Sequence, residues 1–190
     1  MKAMVFAAGL GTRLRPLTND RPKALVEVGG KTMLERVITH LADCGVTDIT
    51  VNIHHFGEKI IEFLEEKKNF GLDIHISDER DLLLDTGGGL MKARKFLDGD
   101  EPFIVHNADI LTDLDLKAMY DFHVEHDALS TILVKDRQTQ RYFLFDHEHR
   151  IKSLINKKNG ETKPERYNVV LITLWFGFSS FLFIPAFTTV

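Results

Sequence analysis

The sequence predicts an α/β fold: a three-layer sandwich in which a mostly parallel sheet carries helices on both faces, with an antiparallel hairpin addition. The chain opens on an apolar run typical of a buried strand, and strand-like and helix-like segments then alternate as far as Ile76. Two extended segments separated by a polar turn follow after residue 140. Because this alternation is typical of right-handed βαβ units, the sheet should be mostly parallel.

The first strand and the first helix have the clearest signals. Met4–Ala8 is a continuous apolar run and predicts a fully buried strand. Ala24–Gly30 predicts a short extended piece that ends in a turn. Thr32 and Glu35 then match a capping box, apolar residues recur at helical spacing, and Gly45 is a suitable helix stop. We therefore expect the first helix to begin just after Thr32.

The remaining elements follow from the same periodicities. The predicted strands are Ile49–Ile53, Leu72–Ile76, Pro102–His106 and Ala128–Val134, and the predicted helices are Glu58–Lys68, Asp85–Phe96 and Leu114–Glu125. Arg141–Phe145 and Ile151–Ile155 predict the hairpin. The expected architecture is a Rossmann-like three-layer sandwich. Ligands of such sheets bind beyond the carboxyl ends of the strands.

The segment after the first strand has the composition of a phosphate-binding turn. Gly9 and Gly11 allow a sharp turn and a close approach to a ligand, and backbone N–H groups in such a turn can converge on phosphate oxygens. Arg13, Arg15 and Lys23 add positive charges nearby. We therefore predict a polyphosphate site. The alternative is a glycine turn with incidental surface cations.

Better-known motifs are excluded. The dinucleotide fingerprint needs a third glycine where this chain has Leu14, and the P-loop needs a glycine where it has Leu25. The sequence has no Gly-x-Ser-x-Gly elbow, so a hydrolase serine has no support. His123 and His126 have helical spacing for a zinc pair but lack an evident third ligand. We expect these histidines to be solvated or to cap helices.

Two later segments offer ligands at the same edge of the sheet. Three consecutive glycines in Asp85–Leu90 open a helix, where exposed amides can meet an anion or a polar ligand edge; the alternative is a flexible loop with a glycine cap. Asp109 follows a predicted strand and is placed to hold Mg²⁺, which takes oxygen from one or two carboxylates and from substrate phosphates. Alternatively Asp109 caps the next turn, although Thr112 or Asp113 could fill that role.

A composite motif near the amino terminus resembles the signature of the sugar-1-phosphate nucleotidylyltransferases. Its halves are Ala7-Ala8-Gly9-Leu10-Gly11-Thr12-Arg13-Leu14 and Arg21-Pro22-Lys23-Ala24-Leu25. These enzymes join a nucleoside triphosphate to a sugar 1-phosphate and release pyrophosphate. The resemblance covers roughly residues 1–167. It implies a nucleotidyltransferase with these two substrates as partners and Mg²⁺ as its cofactor.

The resemblance also implies roles for individual residues. Arg13 would hold the leaving pyrophosphate, Lys23 would neutralise the α-phosphate and the incoming phosphate, and Asp109 would be a metal ligand. The implied nucleotide-binding residues are Ala7, Ala8, Gly9, Gly11, Thr12, Thr86, Gly87 and Gly88. A lysine near the hairpin often contacts the sugar phosphate in this family, and the candidates are Lys157, Lys158 and Lys163.

The base and the sugar stay open at this stage. Uridine, thymidine and guanosine enzymes share these motifs. By resemblance, the glycine run after Thr86 implies a pyrimidine enzyme, such as an N-acetylmuramate or glucose phosphate uridylyltransferase, with a mannose phosphate guanylyltransferase as the alternative. The oligomeric state is not predicted.

Composition excludes several other classes. The chain has 190 residues, 44% of them apolar, which suits one globular domain with an ordinary core. A net charge of −4 without a long basic run argues against a nucleic-acid binder. The single cysteine, Cys44, excludes an internal disulfide framework and should be a buried, inert thiol. The sequence shows no secretory signal, so we expect a cytoplasmic protein.

The last segment differs in composition from the rest. Every Asp, Glu, Lys and Arg lies in the first 166 residues, and residues 168–190 are uncharged and apolar. Two short core strands broken near Gly177–Ser180, a transmembrane segment, or an abnormal end of the reading frame would each fit. Pro185, frequent Ser and Thr, and the lack of a following basic cluster argue against a membrane.

We therefore divide the chain into a nucleotidyltransferase domain, residues 1–167, and an apolar tail, residues 168–190. The family usually continues with a further strand, more helices and a second metal-binding Asp, whereas this tail has no Asp or Glu. The expectation is a shortened or frame-altered homologue. The alternative function is a catalytically incomplete module that binds a nucleotide or a nucleotide sugar.

Overall fold

The computed structural model describes residues 1–126, 128–134, 139–147, 150–164, 169–173 and 181–184. Its strands are β1 (Lys2–Phe6), β2 (Glu27–Val28), β3 (Lys31–Thr32), β4 (Asp48–Ile53), β5 (Asp73–Asp78), β6 (Phe103–Asn107), β7 (Ser130–Val134), β8 (Arg141–Phe145), β9 (Ile151–Asn156), β10 (Glu161–Pro164), β11 (Val169–Thr173) and β12 (Phe181–Ile184). Its helices are α1 (Met33–Asp43), α2 (Gly57–Glu66), α3 (Asp85–Leu97) and α4 (Leu116–Glu125).

A seven-stranded sheet forms the middle layer, in the order β11-β7-β12-β6-β1-β4-β5. β1 pairs in parallel with both β4 and β6, β4 with β5, and β7 with β11. β12 is antiparallel to both of its neighbours, β6 and β7. The predicted mostly parallel sheet is confirmed. β1 lies between β6 and β4, and its residues Ala3, Met4 and Val5 are fully buried.

Helices cover both faces of the sheet, because successive side chains of a strand point to opposite sides. Ala3 and Val5 of β1 belong to a large apolar cluster with α1, α2 and α4, whereas Met4 belongs to a smaller one with α3. The predicted three-layer sandwich is therefore confirmed. Cys44 is half-buried beside the larger cluster, rather than fully buried.

The face of β4 and β5 that α3 covers is polar. Asp48, Thr50 and Asn52 alternate with the buried apolar residues of β4, and Thr50 and Asn52 are themselves buried. In the parallel register these three pair with Asp73, His75 and Ser77 of β5. Thr50 Oγ1 and Ser77 Oγ are buried without a hydrogen-bond partner among the described residues. A polar row therefore runs under α3 towards the carboxyl ends of the strands.

The start of α1 confirms only half of the predicted capping box. Thr32 Oγ1 accepts a hydrogen bond from the Glu35 amide at 3.1 Å, and the helix begins at Met33. The Glu35 carboxylate instead pairs with Lys67 Nζ at 3.2 Å. The stop at Gly45 has φ +87°, in the left-handed region that favours glycine.

Only the second half of Ala24–Gly30 is the predicted extended piece: Glu27–Val28 form β2 and Gly29 and Gly30 form the turn, whereas the start of the segment differs. Lys23–Leu25 form a 3₁₀ turn, in which the Leu25 amide donates to the Pro22 carbonyl at 2.9 Å. Pro22 has the fixed φ, here −69°, that suits entry into such a turn. The two-residue strands β2 and β3 follow as a small antiparallel pair.

The predicted hairpin is present and extended by one strand. β8 pairs with β9 and β9 with β10, all antiparallel, in a separate three-stranded sheet. Lys157 and Lys158 lie in the turn between β9 and β10, and Lys163 lies in β10.

The tail contributes strands to the central sheet. Val169–Thr173 and Phe181–Ile184 are β11 and β12, which fits the alternative of two short core strands. The predicted break at Gly177–Ser180 lies outside the described residues. Among the described residues, no helix is long and apolar enough to cross a membrane. That the tail is an altered end of a reading frame stays a prediction.

Candidate active site

An open cleft of about 440 Å³ lies beyond the carboxyl ends of β1, β4 and β6. The segment from Phe6 to Leu14 forms one wall, and the start of α3 forms another. Lys23, Asn107 and Asp109 also line it. This is the position at which open parallel sheets bind ligands.

The glycine turn after β1 is tightly packed at Gly11. Gly11 has φ +64°, and a Cβ there would lie 3.1 Å from Lys23 Cβ and 3.1 Å from Thr18 Cγ2. Thr18 Oγ1 donates to the Gly11 carbonyl at 2.9 Å, and the Leu14 amide donates to the same carbonyl at 3.0 Å. Both the backbone conformation and the close packing therefore require glycine at this position.

Lys23 and Asp109 meet on the cleft. Lys23 Nζ donates to Asp109 Oδ2, in an ion pair whose side chains are 28% and 33% exposed. The Ala108 amide donates to the Phe6 carbonyl at 3.0 Å, which ties the Asp109 segment to the end of β1. Burial, together with the positive charge of Arg13, lowers the pKa of Lys23.

Asp109 does not cap the following turn. The Leu114 amide donates to Thr112 Oγ1 at 3.1 Å, and the Ala118 amide donates to Asp115 Oδ1 at 2.9 Å at the start of α4. Thr112 and Asp115 therefore provide the local caps. The Asp109 carboxylate instead contacts Lys23 and lines the cleft.

The other predicted cations are distributed unequally. Arg13 is exposed and lines the cleft. Arg15 is exposed but is not among the lining residues, and Arg21 pairs with its neighbour Asp20 at 3.0 Å. Two of the three predicted cations, Arg13 and Lys23, therefore share the cleft with Asp109.

Only the first of the three predicted residues at the start of α3 lines the cleft. Thr86 is a lining residue, and Gly87 and Gly88 are not. Successive residues of a helix turn by about 100°, so these glycines face away from the wall that Thr86 forms. Gly89, which was not predicted, is buried, and a Cβ there would lie 2.9 Å from Glu79 Oε1 and 3.1 Å from Phe6 Cε1.

Sequence reasoning missed a buried polar pair, Asn52 and Glu79. Asn52 Oδ1 accepts hydrogen bonds from the Ala7 amide at 2.7 Å and the Ala8 amide at 3.3 Å. Asn52 Nδ2 donates to Glu79 Oε1 at 2.7 Å. Glu79 Oε2 accepts from the Leu84 amide at 3.2 Å, and Glu79 is 0% exposed. A lone amide in the apolar run of β4 was the only local signal for this pair.

The pair changes which backbone groups a ligand can use. The N–H groups of Ala7 and Ala8 are taken by Asn52. Among the described residues, no hydrogen bond engages the N–H groups of Gly9, Gly11 and Thr12. The amides open to a phosphate therefore begin at Gly9.

Two places in the described residues have donors for a divalent cation. Asp109 offers a carboxylate on the cleft, where substrate oxygens and water could complete a shell suited to Mg²⁺. Asp48, Asp73 and His75 bring ligand atoms within 4.8 Å of one another, but at the amino ends of β4 and β5, away from the cleft. Only the first place could contact a substrate in the cleft.

The histidines on α4 do not form the zinc pair considered from the sequence. His123 is buried, with Nδ1 2.8 Å from Thr131 Oγ1. His126 is exposed and stacks on Phe122, with 3.8 Å between ring centroids.

Known proteins are similar to this chain in sequence and in fold. Residues 2–173 match the nucleotidyl transferase family. N-acetylmuramate alpha-1-phosphate uridylyltransferase of Caulobacter vibrioides is 49% identical over 109 residues, covering 56% of this chain and 45% of that protein. Mannose-1-phosphate guanyltransferase of Gibberella zeae is 38% identical over 160 residues, covering 83% of this chain and 44% of that protein.

A solved structure adds the three-dimensional comparison. HddC from Yersinia pseudotuberculosis superposes with a TM-score of 0.74 at 26% identity, covering 97% of this chain and 76% of that one. The chain spans about half the length of the curated relatives it matches, at 45% and 44% of their lengths. Because the family match covers residues 2–173 of the 190-residue chain, the chain belongs to the nucleotidyl transferase family.

Proposed function

We propose that the cleft transfers a nucleotidyl group from a nucleoside triphosphate to a sugar 1-phosphate, with Mg²⁺, and releases pyrophosphate. The observation that carries this proposal is the meeting of the Lys23 ammonium and the Asp109 carboxylate beside the glycine turn, with Arg13 on the same cleft. The names of the relatives, a uridylyltransferase and a guanyltransferase, support the reaction class.

The chemistry asks the protein for positioning and charge neutralisation. A phosphate oxygen of the sugar 1-phosphate attacks the α-phosphorus in line, a new P–O bond forms, and the bond to the β-phosphate oxygen breaks with its electron pair on pyrophosphate. The attacking oxygen is already anionic, so no general base and no covalent enzyme intermediate are needed. A site of cations, backbone amides and a carboxylate suits such a reaction.

Each element of the cleft has a proposed task. The exposed Arg13 guanidinium neutralises the departing pyrophosphate, and Lys23, released from Asp109, neutralises the α-phosphate and the incoming phosphate. The free amides from Gly9 onwards hold the triphosphate oxygens. Thr86 contacts the edge of the base from the α3 wall; the same role for Gly87 and Gly88 stays a prediction.

Asp109 is the residue that would hold Mg²⁺. Its carboxylate is partly exposed on the cleft and already faces a cation, which fits a hard ion completed by phosphate oxygens and water. When bound, the ion supplies Lewis-acid polarisation of the phosphates and a template for their alignment. To hold the ion, the Asp109 carboxylate would exchange its contact with the Lys23 ammonium.

The test is pyrophosphate release with uridine, thymidine and guanosine triphosphates, each combined with a panel of sugar 1-phosphates. We expect one pair to be turned over, and Lys23→Met and Asp109→Asn each to lower turnover by about 10²–10³-fold. Lys31→Met is the matched control, because Lys31 is an exposed lysine of β3 outside the cleft. Unchanged rates in either cleft variant would remove that residue from the mechanism. Nucleotide binding without turnover would support a binding module instead.

A further inference from the structure

We propose that Asn52 and Glu79 are positioning residues that align the two nucleotide walls of the cleft before a nucleotide binds. This inference rests on the proposed function, because it assigns the walls to a nucleotide. One wall is the turn that follows Ala8, and the other is the start of α3 after Leu84. Asn52 and Glu79 connect these walls through side chains that act on the backbone of each.

The hydrogen bonds form a continuous chain across three elements. Asn52, near the carboxyl end of β4, accepts from two successive amides at the end of β1, at 2.7 and 3.3 Å. Its amide group donates to Glu79 at 2.7 Å, and the other Glu79 oxygen accepts from the Leu84 amide at 3.2 Å. A displacement of either wall would therefore break a bond to a buried partner.

The backbone of Glu79 is fixed independently of its side chain. Its amide donates to the Ile53 carbonyl at 2.8 Å, and its carbonyl lies 2.6 Å from His54 Nδ1. The carboxylate is thus presented from a rigid point at the end of β5. Because its backbone is fixed in this way, the Glu79 carboxylate can hold the loop before α3 in one position through its hydrogen bond to the Leu84 amide.

Helix α3 closes over the pair. A Cβ at Gly89 would come within 2.9 Å of Glu79 Oε1 and 3.2 Å of Asn52 Nδ2, so the helix backbone lies directly against them. Asn52 is 2% exposed and Glu79 0% exposed. A buried carboxylate with neutral donors is costly unless its hydrogen bonds are well made. This cost makes the arrangement specific: an alternative wall position would leave a buried charge without its donors.

The donor and acceptor directions allow a reciprocal test. In Glu79→Gln the new side-chain NH₂ must face either the Leu84 amide or Asn52 Nδ2, so one bond is lost. In Asn52→Asp two carboxylates face each other. When both substitutions are combined, the carboxylate at position 52 accepts hydrogen bonds from the backbone amides of Ala7 and Ala8 and from the new side-chain NH₂ group at position 79. The carbonyl at 79 accepts from Leu84. Every hydrogen bond is restored with the polarity of the central bond reversed.

The experiment measures the affinity for nucleoside triphosphates by calorimetry and the hydrogen exchange of the Ala7 and Ala8 amides. Each single variant should bind the preferred nucleotide roughly 10- to 100-fold more weakly, the range for a buried hydrogen bond left unmade, and should exchange these amides faster. The double variant should return to within about threefold of the wild type. Thr50→Val is the matched control, because Thr50 lies on the same face of β4, is 0% exposed and has no hydrogen-bond partner among the described residues.

Urea unfolding of each variant separates alignment from stability. The double variant guards against single variants that do not fold. The inference is overturned if the folded single variants bind nucleotide as the wild type does, if the double variant fails to recover affinity, or if the wild type binds none of the nucleotides. If the wild type binds nucleotide but releases no pyrophosphate with any sugar 1-phosphate, the proposed function fails while the affinities still decide the role of the pair.

Discussion

His106 should make the stability of the fold depend on pH between 8 and 5. Its ring lies in β6, is 1% exposed, and has Nδ1 2.8 Å from the Asn107 carbonyl. Burial, with a smaller contribution from His40, lowers the pKa of His106 from 6.5 to about 3, although the hydrogen bond to Asn107 opposes the shift. The folded protein therefore keeps this imidazole neutral between pH 8 and pH 5.

The sign follows from which state binds the proton. Above pH 6.5 neither state protonates His106, and its contribution to folding is fully present. As the pH falls below 6.5 the unfolded chain takes up a proton that the folded state does not, so stability is lost until the folded pKa near 3 is reached. At pH 5 the loss is about 2 kcal/mol, from about 1.5 units at about 1.4 kcal/mol per unit.

The carboxylates with lowered pKa values titrate outside this interval, whereas one further histidine titrates inside it. The lowered pKa values of Asp20, Glu58 and Asp78 lie below their ordinary range near 4, so their contributions are lost only in more acidic solution. Burial also lowers the pKa of His123, which adds a loss of the same sign in the same interval. His106 therefore accounts for the part of the slope that its substitution removes.

The assay is urea unfolding followed by circular dichroism at pH 8 and pH 5. His106→Asn keeps a donor for the Asn107 carbonyl but cannot titrate, so it should lose about 2 kcal/mol less between the two pH values than the wild type does. His126→Asn, at the exposed position directly after α4, should keep the wild-type slope. Equal losses in the wild type and His106→Asn would refute the assignment of a neutral, buried imidazole.

Three further predictions concern glycines in or beside the cleft and the side-chain cap of α1, and urea unfolding measures each of them. Gly89→Ala should destabilise by about 1–3 kcal/mol because its Cβ would lie 2.9 Å from Glu79 Oε1, whereas Gly87→Ala, with open space around its Cβ, should stabilise by up to about 1 kcal/mol. Equal effects would contradict the close approach of α3. Gly11→Ala should cost about 1–2 kcal/mol because φ is +64°; an unchanged midpoint would count against a rigid turn. Thr32→Ala should cost about 1 kcal/mol through the lost cap, and no loss would show that the cap is dispensable.

The central fold could be predicted because its signals are local. β1 is a continuous apolar run, and α1 has a cap, a helical period and a glycine stop within one short window. The 3₁₀ turn at Lys23 could not be predicted in this way, since it depends on Pro22 and on packing of the turn against Gly11.

The same distinction between local and distant signals explains which residues of the cleft could be predicted. Arg13 and Asp109 could be placed together from sequence, because the carboxyl ends of parallel strands meet at one edge of a sheet. Asn52 and Glu79 could not, because their partners are backbone amides distant in sequence and any polar residue in a strand has many such options. The sequence shows a glycine at position 89 but not why a glycine is needed there. The reason is the close approach of the Glu79 and Phe6 side chains, which are distant from Gly89 in sequence.

The tail shows why composition alone left several interpretations. β12 has a hydrogen-bonded neighbour on each side, β6 and β7. A strand inside a sheet covered on both faces is expected to be apolar throughout. Its sequence therefore resembles a short membrane segment, and the pairing with β6 and β7 adds structural evidence for a core strand.

The position of β12 also has a consequence for how the molecule is made. β6 and β7 are not adjacent in the sheet, so β12 is the strand that joins β7 and β11 to the rest of it. On the ribosome, β6 emerges long before its partner at Phe181–Ile184, and its edge stays unsatisfied meanwhile. The residues that line the cleft lie between positions 6 and 109, so they are synthesised early. The sheet that supports them is completed only when β12 pairs with β6, so we expect partly synthesised chains to be prone to aggregation.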